Sequence, residues 1–228
     1  MSHIIIIIPA FNEEKSIDKV VQAIPKELVS DIIVVNNNST DNTAFVAKSA
    51  GATVLNQPQK GYGNACLKGI NYIKNKAEQP EIVVFIDGDF SDYPEEMPLL
   101  THPIIHDDYD MVIGSRVLGK REKGALTPQQ IFGNWLATRL MWLFYSVKYT
   151  DLGPFRAIKW KSLLALHMED PTYGWTIEMQ LKAAKQKMKT MEVAVNYRVR
   201  IGVSKVSGTL KGAVMAGIKI IWTIFKYL

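Results

Sequence analysis

Residues 82–94 read Ile-Val-Val-Phe-Ile-Asp-Gly-Asp-Phe-Ser-Asp-Tyr-Pro, and this stretch decides the fold. Ile82–Ile86 is apolar, β-branched or aromatic throughout, which suits a strand buried on both faces of a parallel sheet. The run stops at Asp87-Gly88-Asp89, with Asp92 three positions further on. Ligands of open α/β sheets sit beyond the carboxyl ends of strands, so these carboxylates fall where chemistry is expected. Two carboxylates about 4 Å apart repel by roughly 4 kcal/mol at an effective dielectric near 20, and such a pair invites a cation. Hard oxygen ligands point to Mg²⁺ or Mn²⁺, ions that bridge to phosphate oxygens. Gly88 leaves room for close approach of a backbone or sugar. An isolated D-x-D can equally be an acidic turn that caps a helix, so the reading depends on the rest of the chain.

Working outward, Ile4–Ile8 is a second doubly buried strand that ends in Pro9-Ala10-Phe11-Asn12-Glu13-Glu14. Ile17, Val20, Val21 and Ile24 form a helical stripe behind it. Asp31–Val35 is the next strand, followed by the turn-forming run Asn36–Thr43 and a helix. Thr53–Asn56 is a short strand, and Lys60-Gly61-Tyr62-Gly63-Asn64-Ala65 opens a helix. After the central stretch come a helix and a strand, Asp110–Ile113, that ends in Gly114-Ser115-Arg116. This β-α alternation predicts an α/β fold with a mostly parallel central sheet flanked by helices. Gly61-x-Gly63 follows the third strand and lacks a third glycine, which excludes a dinucleotide-binding dehydrogenase. No P-loop element is present either.

The remainder changes character. Val117–Pro128 is polar and contains Gly and Lys, as an active-site lid would. Gln129–Val147 is dense in aromatics and interrupted by Arg139. Asp151-Leu152-Gly153-Pro154-Phe155-Arg156-Ala157 precedes a helix from Lys161. Glu178 lies near the start of another helix, and Met191–Val195 is a strand. Leu210–Leu228 places Val214, Ile218, Ile221, Trp222 and Phe225 on one face with Lys211, Lys219 and Lys226 spaced among them. The chain reads as one domain over 1–228: residues 1–116 with the β-α alternation, residues 117–207 with a mobile loop at 117–128, and an amphipathic C-terminal helix (208–228).

Composition sets further bounds. At 228 residues and 47% apolar the chain can bury one full core. Its single cysteine, Cys66, excludes an internal disulfide and fits a reducing, cytoplasmic setting. The net charge is +5, and after Glu178 there are ten Lys/Arg against one acid, Glu192. That distribution suits a phosphate-rich ligand or an anionic membrane surface. Nucleic acid is not expected, because no nucleic-acid-binding motif accompanies the charge.

The ordered set I-P-A-F-N-E-E, V-V-N-N-N-S-T-D-N-T, K-G-x-G-x-A and D-G-D resembles the inverting family 2 glycosyltransferases of the GT-A fold. D-L-G-P-F-R-A and R-x-G-x-S-K make it most similar to their polyprenyl-phosphate branch, the dolichol-phosphate mannosyltransferase-like enzymes. The resemblance covers nearly the whole chain. It implies a nucleoside-diphosphate sugar donor, with Pro9, Ala10, Phe11 and Glu13 against the nucleoside and Gly61 near the base and ribose. Asn36 stands where the family usually has an aspartate that accepts from the base, so the charge-assisted part of that bond is absent. Asp87 and Asp89 match the metal-binding pair, with Asp89 the leading ligand, and Ser91 stands where that branch has a glutamine. A lipid-phosphate acceptor needs cations to hold it, with Arg116, Arg156, Arg198, Arg200 and Lys205 as candidates. A saccharide or other hydroxyl acceptor needs a carboxylate base, with Asp151 and Glu178 as candidates. Peripheral contact with the inner face of a membrane is expected from the basic, aromatic C-terminal region. The rivals are a nucleotidyltransferase, which usually carries a G-x-G-T-R-like loop absent here, and a silent sugar-nucleotide-binding protein, against which Asp87 and Asp89 stand intact.

Overall fold

The computed structural model describes residues 3–202 and 210–228. One seven-stranded sheet organises them, in the order β3-β2-β1-β4-β6-β5-β7. Its strands are β1 (Ile4–Ala10), β2 (Asp31–Asn36), β3 (Thr53–Asn56), β4 (Ile82–Phe85), β5 (Met111–Ser115), β6 (Arg156–Lys159) and β7 (Thr190–Ala194). The helices are α1 (Ile17–Ala23), α2 (Thr43–Ser49), α3 (Tyr62–Lys74), α4 (Met97–His106), α5 (Pro128–Tyr145), α6 (Trp160–Ala165), α7 (Trp175–Lys185) and α8 (Leu210–Lys226).

Strand alternation divides the core in two. Ile5, Ile7, Val83 and Phe85 face a layer that includes α3, α6 and α7. Ile4, Ile6, Ile8, Val84 and Ile86 face α1, α2 and α4. Both faces of β1 and β4 are therefore covered, which is why their sequences are unbroken apolar runs. Pro9 is tolerated in β1 because β4 has ended there: Ile7 pairs with Phe85, and Pro9 pairs only with Val35 of β2.

The sheet is mixed. β6 runs antiparallel to both β4 and β5 and separates them. The sequence reading has no strand at Arg156–Lys159 and leaves the chain there as a connection into α6.

α5 and α8 pack on each other, with Phe144 and Phe225 edge to face at a centroid distance of 5.4 Å. α5 exposes Ile131, Phe132, Trp135, Trp142 and Leu143, and α8 exposes Val214, Met215, Ile218 and Trp222. Phe132 is 61% exposed and Trp222 51%, so these aromatics are not core. The lysines of α8 depart from expectation. Lys219 pairs with Asp170 at 2.8 Å and Lys226 with Glu169 at 2.7 Å, so they clamp the helix to the body. The side chain of Lys211 lies outside the described residues. Among the described residues no helix is long and apolar enough to cross a membrane.

Candidate active site

β1, β4 and β5 release their chains at one edge of the sheet, and the expected carboxylates gather there. Asp87 lies one residue beyond β4, after Ile86, and its Oδ1 is shut off from solvent without a partner. Burial, with Asp89 alongside, pushes the Asp87 carboxyl up to about 7. Asp89 is buried, and its Oδ1 accepts from the Ser91 amide at 2.9 Å and from the Ser91 hydroxyl. Its Oδ2 lies 3.0 Å from Nη1 of Arg200, whose Nη2 reaches Oε1 of Glu13 at 2.9 Å. The Ser16 hydroxyl lies within reach of both Glu13 Oε2 and the Gly88 carbonyl, tying the β1 loop to the β4 loop. Asp92 is buried with neither carboxylate oxygen partnered. Burial, then the Asp87 charge, hold it well above the usual carboxylate range.

Residues 196–201 cross the mouth of this cluster as a strap. Tyr197 bridges Asp92, the Arg198 amide donates to the Ser91 carbonyl at 2.9 Å, and the Ile201 amide donates to the Asp89 carbonyl at 3.0 Å. The Arg198 guanidinium sits 3.6 Å above the Phe90 ring and 3.9 Å from that of Tyr93. It also donates to the Phe90 and Asp92 carbonyls at 2.8 and 3.0 Å, so it braces the strap. The 117–128 segment joins the same structure. The Tyr197 amide donates to the Lys120 carbonyl, the Glu122 amide donates to the Tyr197 carbonyl, and Leu126 is buried.

Across the cluster, Asp151 takes Arg116 in a bidentate pair, with Nε to Oδ2 and Nη2 to Oδ1 both at 2.7 Å. The Arg116 amide adds a third bond to Oδ2 at 2.8 Å. Glu192 of β7 fixes the turn before this pair by accepting from the Thr150 and Asp151 amides. Asp151 thus sits at the site with its acceptor capacity directed at Arg116.

Two expected site residues lie elsewhere. Arg156 begins β6, fully buried, and its guanidinium donates to the carbonyls of Gly153 and Thr176. A central-strand arginine bonded to backbone carbonyls cannot reach an acceptor phosphate. Glu178 is also fully buried. It accepts from the Glu169 amide at 3.0 Å, the Asp170 amide at 2.8 Å, the Tyr227 hydroxyl at 2.9 Å and Lys182 at 2.7 Å. Enclosed in the body and bonded to the Glu169 and Asp170 amides and to Lys182, it anchors the 169–170 turn instead. Lys205 lies outside the described residues.

On the nucleoside side, Pro9 and Ala10 are buried in the end of β1, and Lys60 stands 4.8 Å over the Phe11 ring. The Asn36 side chain donates to Asn56 at 3.0 Å and accepts from the Ser39 amide at 3.2 Å, and its oxygen can accept once more. The glycines have a different reason from the one expected. A Cβ on Gly61 would stand 2.2 Å from the Pro171 carbonyl oxygen, and one on Gly63 would stand 1.8 Å from that of Asp170. They let α3 meet the 170–172 backbone, to which Asn64 donates at 2.9 Å. At Gly88 a Cβ would make only ordinary contacts, with Ile17 and Pro9 at 3.4 Å.

Asn37 is a residue the sequence reading passes over. Its amide group donates to the Gln59 carbonyl at 2.7 Å and its oxygen accepts from the Gly61 amide at 2.8 Å, pinning the loop before α3. The period-2 pattern Ile33, Val35, Asn37 carries its position inward and could have marked it. Ser16, Glu192 and Tyr197 are the other supports with no local signal.

The Asp87–Asp89 pair fits a hard divalent cation: one buried oxygen without a partner, and a carboxyl that burial holds protonated near neutrality. Among the described residues no three His, Cys, Asp or Glu side chains converge on one metal point. The described residues therefore offer the ion a carboxylate pair, in the manner of Mg²⁺ sites completed by phosphate oxygens and water.

Residues 5–164 match the family model described as Glycosyl transferase family 2. An uncharacterized glycosyltransferase of Mycobacterium tuberculosis is 34% identical over 215 residues, spanning 92% of this chain and 93% of its own. Glycosyltransferase AglJ of Haloferax volcanii is 29% identical over 196 residues, 86% of this chain and 63% of its own. Among solved structures, glucosyl-3-phosphoglycerate synthase from Mycobacterium tuberculosis, in complex with Mn²⁺, uridine diphosphate and phosphoglyceric acid, matches with a TM-score of 0.79. It is 22% identical and covers 99% of this chain and 78% of that one, a likeness of fold.

Proposed function

The chain belongs to glycosyl transferase family 2, and on that footing we propose that it moves a sugar from a nucleoside-diphosphate donor to a phosphate-bearing acceptor, with Mg²⁺ or Mn²⁺ held by Asp87 and Asp89. The observation that carries this reading is the carboxylate pair at the end of β4, Asp89 buried and Asp87 with one oxygen shut off from solvent, faced by Arg200. The ion, when bound, neutralises the diphosphate leaving group. The chain's own part is to hold and orient. Glu13, Asn36 and the Asn37-pinned loop frame the nucleoside side, and the strap and the Arg116–Asp151 pair frame the acceptor side.

Two sources of the acceptor phosphate have support. The fold neighbour named above was crystallised with phosphoglyceric acid, a small water-soluble molecule, which favours a soluble acceptor. The apolar face of α5 and α8 favours a polyprenyl phosphate met at the inner face of a membrane. Its exposed aromatics, Phe132, Trp135, Trp142 and Trp222 among them, suit an interface. A lipid phosphate is already anionic and needs little base, which agrees with Asp151 and Glu178 both being engaged. The test incubates the protein and Mn²⁺ with a panel of nucleoside-diphosphate sugars and either phosphoglycerate or polyprenyl phosphate in anionic vesicles, following nucleoside diphosphate release. Release with one acceptor only identifies its source. No release or donor hydrolysis with any donor, in protein that is folded, would refute the enzyme reading. Vesicle co-sedimentation that weakens with salt supports the membrane arm.

A further inference from the structure

We propose that Arg200 occupies the place of the divalent cation while the donor is away and passes to the donor's diphosphate when the ion enters. The proposal rests on the donor and metal reading above and adds how the site is kept and filled.

One guanidinium spans carboxylates from two loops, at 3.0 Å to Asp89 Oδ2 and 2.9 Å to Glu13 Oε1. Both acids are buried, and buried charges are tolerated only when compensated. The ion and Arg200 compete for the same atom. Asp89 Oδ1 is engaged by Ser91, which leaves Oδ2 as the oxygen a metal would take, and Arg200 holds it. The guanidinium keeps capacity in reserve, because its Nε is buried without a partner. A planar cation with unspent donors matches a diphosphate better than a single carboxylate oxygen. The strap beneath it is fixed by the Arg198 stack and the Ile201–Asp89 bond, so the exchange needs only the Arg200 side chain to turn. Ion and diphosphate arrive together, and at Asp89 the ion replaces the cation that leaves with Arg200.

The test is calorimetric titration of Mn²⁺ alone into the wild type, Arg200→Gln and Arg200→Lys, followed by uridine diphosphate at saturating Mn²⁺. Arg200→Gln should bind Mn²⁺ alone about tenfold more tightly, equivalent to about 1.4 kcal/mol. It should bind the nucleotide about tenfold more weakly. Arg200→Lys, which reaches one carboxylate at a time, should fall between on both counts. A merely structural arginine would lower the melting temperature with and without metal alike, so the third signature is a larger rise on adding Mn²⁺ than the wild type shows. If Arg200→Gln fails to fold, the lysine variant carries the same comparison. Equal or weaker Mn²⁺ binding by the variants, with wild-type nucleotide binding intact, overturns the exchange and leaves the donor reading standing. Failure of the wild type to bind Mn²⁺ or nucleotide overturns both.

Discussion

Replacing Asp151 by Asn separates two roles for that carboxylate, base and holder of Arg116. The pair is enclosed, with side-chain exposures of 12% for Arg116 and 1% for Asp151. Three bonds of 2.7 to 2.8 Å converge on the two oxygens. Asparagine keeps the shape and one acceptor but sets an amide N–H₂ against the guanidinium donors and removes the charge. Removing one partner of a buried pair costs about 3–5 kcal/mol, and the residual exposure of Arg116 places this case near the lower end, about 3 kcal/mol. With a urea slope of about 2 kcal/mol/M, the midpoint should fall by about 1.5 M. Equilibrium unfolding followed by tryptophan fluorescence reads this directly. A cycle with Arg116→Met should return a coupling of about 2 kcal/mol, within the range of contacting residues. A midpoint shift below about 0.5 M, or a coupling near zero, would refute the holding role. A base that merely neighbours Arg116 would lose turnover without that loss of stability.

Three further outcomes follow from the same geometry. Asp87 is raised from an ordinary 3.8 to about 7, so between those values the native state keeps a proton the unfolded chain has released. The Asp87 contribution to stability of the metal-free protein should therefore fall as pH rises from about 4 to about 7, with buried Asp92 adding to the fall in the same direction. Mn²⁺ affinity should climb over the same window; urea midpoints and metal titrations from pH 5 to 8 check both, and flat profiles would contradict the assignment. Gly63→Ala forces a methyl into the Asp170 carbonyl, 1.8 Å away, and overpacking of this kind costs about 1–3 kcal/mol, measured as a lower unfolding midpoint. Glu178→Gln should destabilise by about 1–3 kcal/mol through its amide and Lys182 bonds while kcat per folded molecule stays unchanged; loss of turnover at full folding would restore it as a base.

What the sequence revealed, it revealed through burial. β1, β2, β4 and β5 are legible because strands covered on both faces must be unbroken apolar runs. Asp87 and Asp89 are legible because such a run stops at them. β6 was hidden, since four residues that begin with Arg156 and end with Lys159 give neither alternation nor an apolar run. The Arg200–Glu13 contact joins residues 187 positions apart, and no local pattern encodes it. Arg156 and Glu178 mislead for a physical reason. A buried charge satisfied by backbone carbonyls or amides is spelled like one that awaits a substrate. The 210–228 stripe was readable as amphipathic, but Lys219 and Lys226 turn to Asp170 and Glu169, acids that lie outside its own periodicity.

The antiparallel insertion of β6 has a consequence for synthesis. β3, β2, β1 and β4 can pair as soon as they leave the ribosome, in a four-stranded parallel block. β5 ends at residue 115, but its link to that block, β6, begins at 156, which is 41 positions later. β4 itself ends at residue 85, 71 positions before β6 begins, so at about 5–20 residues per second its outer edge stays unpaired for roughly 4–14 s. Ile82–Phe85 is then an uncovered apolar edge of the kind that recruits neighbouring chains. Overproduced protein should aggregate at this stage of translation, and slowing initiation, which spaces the nascent chains apart, should recover soluble enzyme.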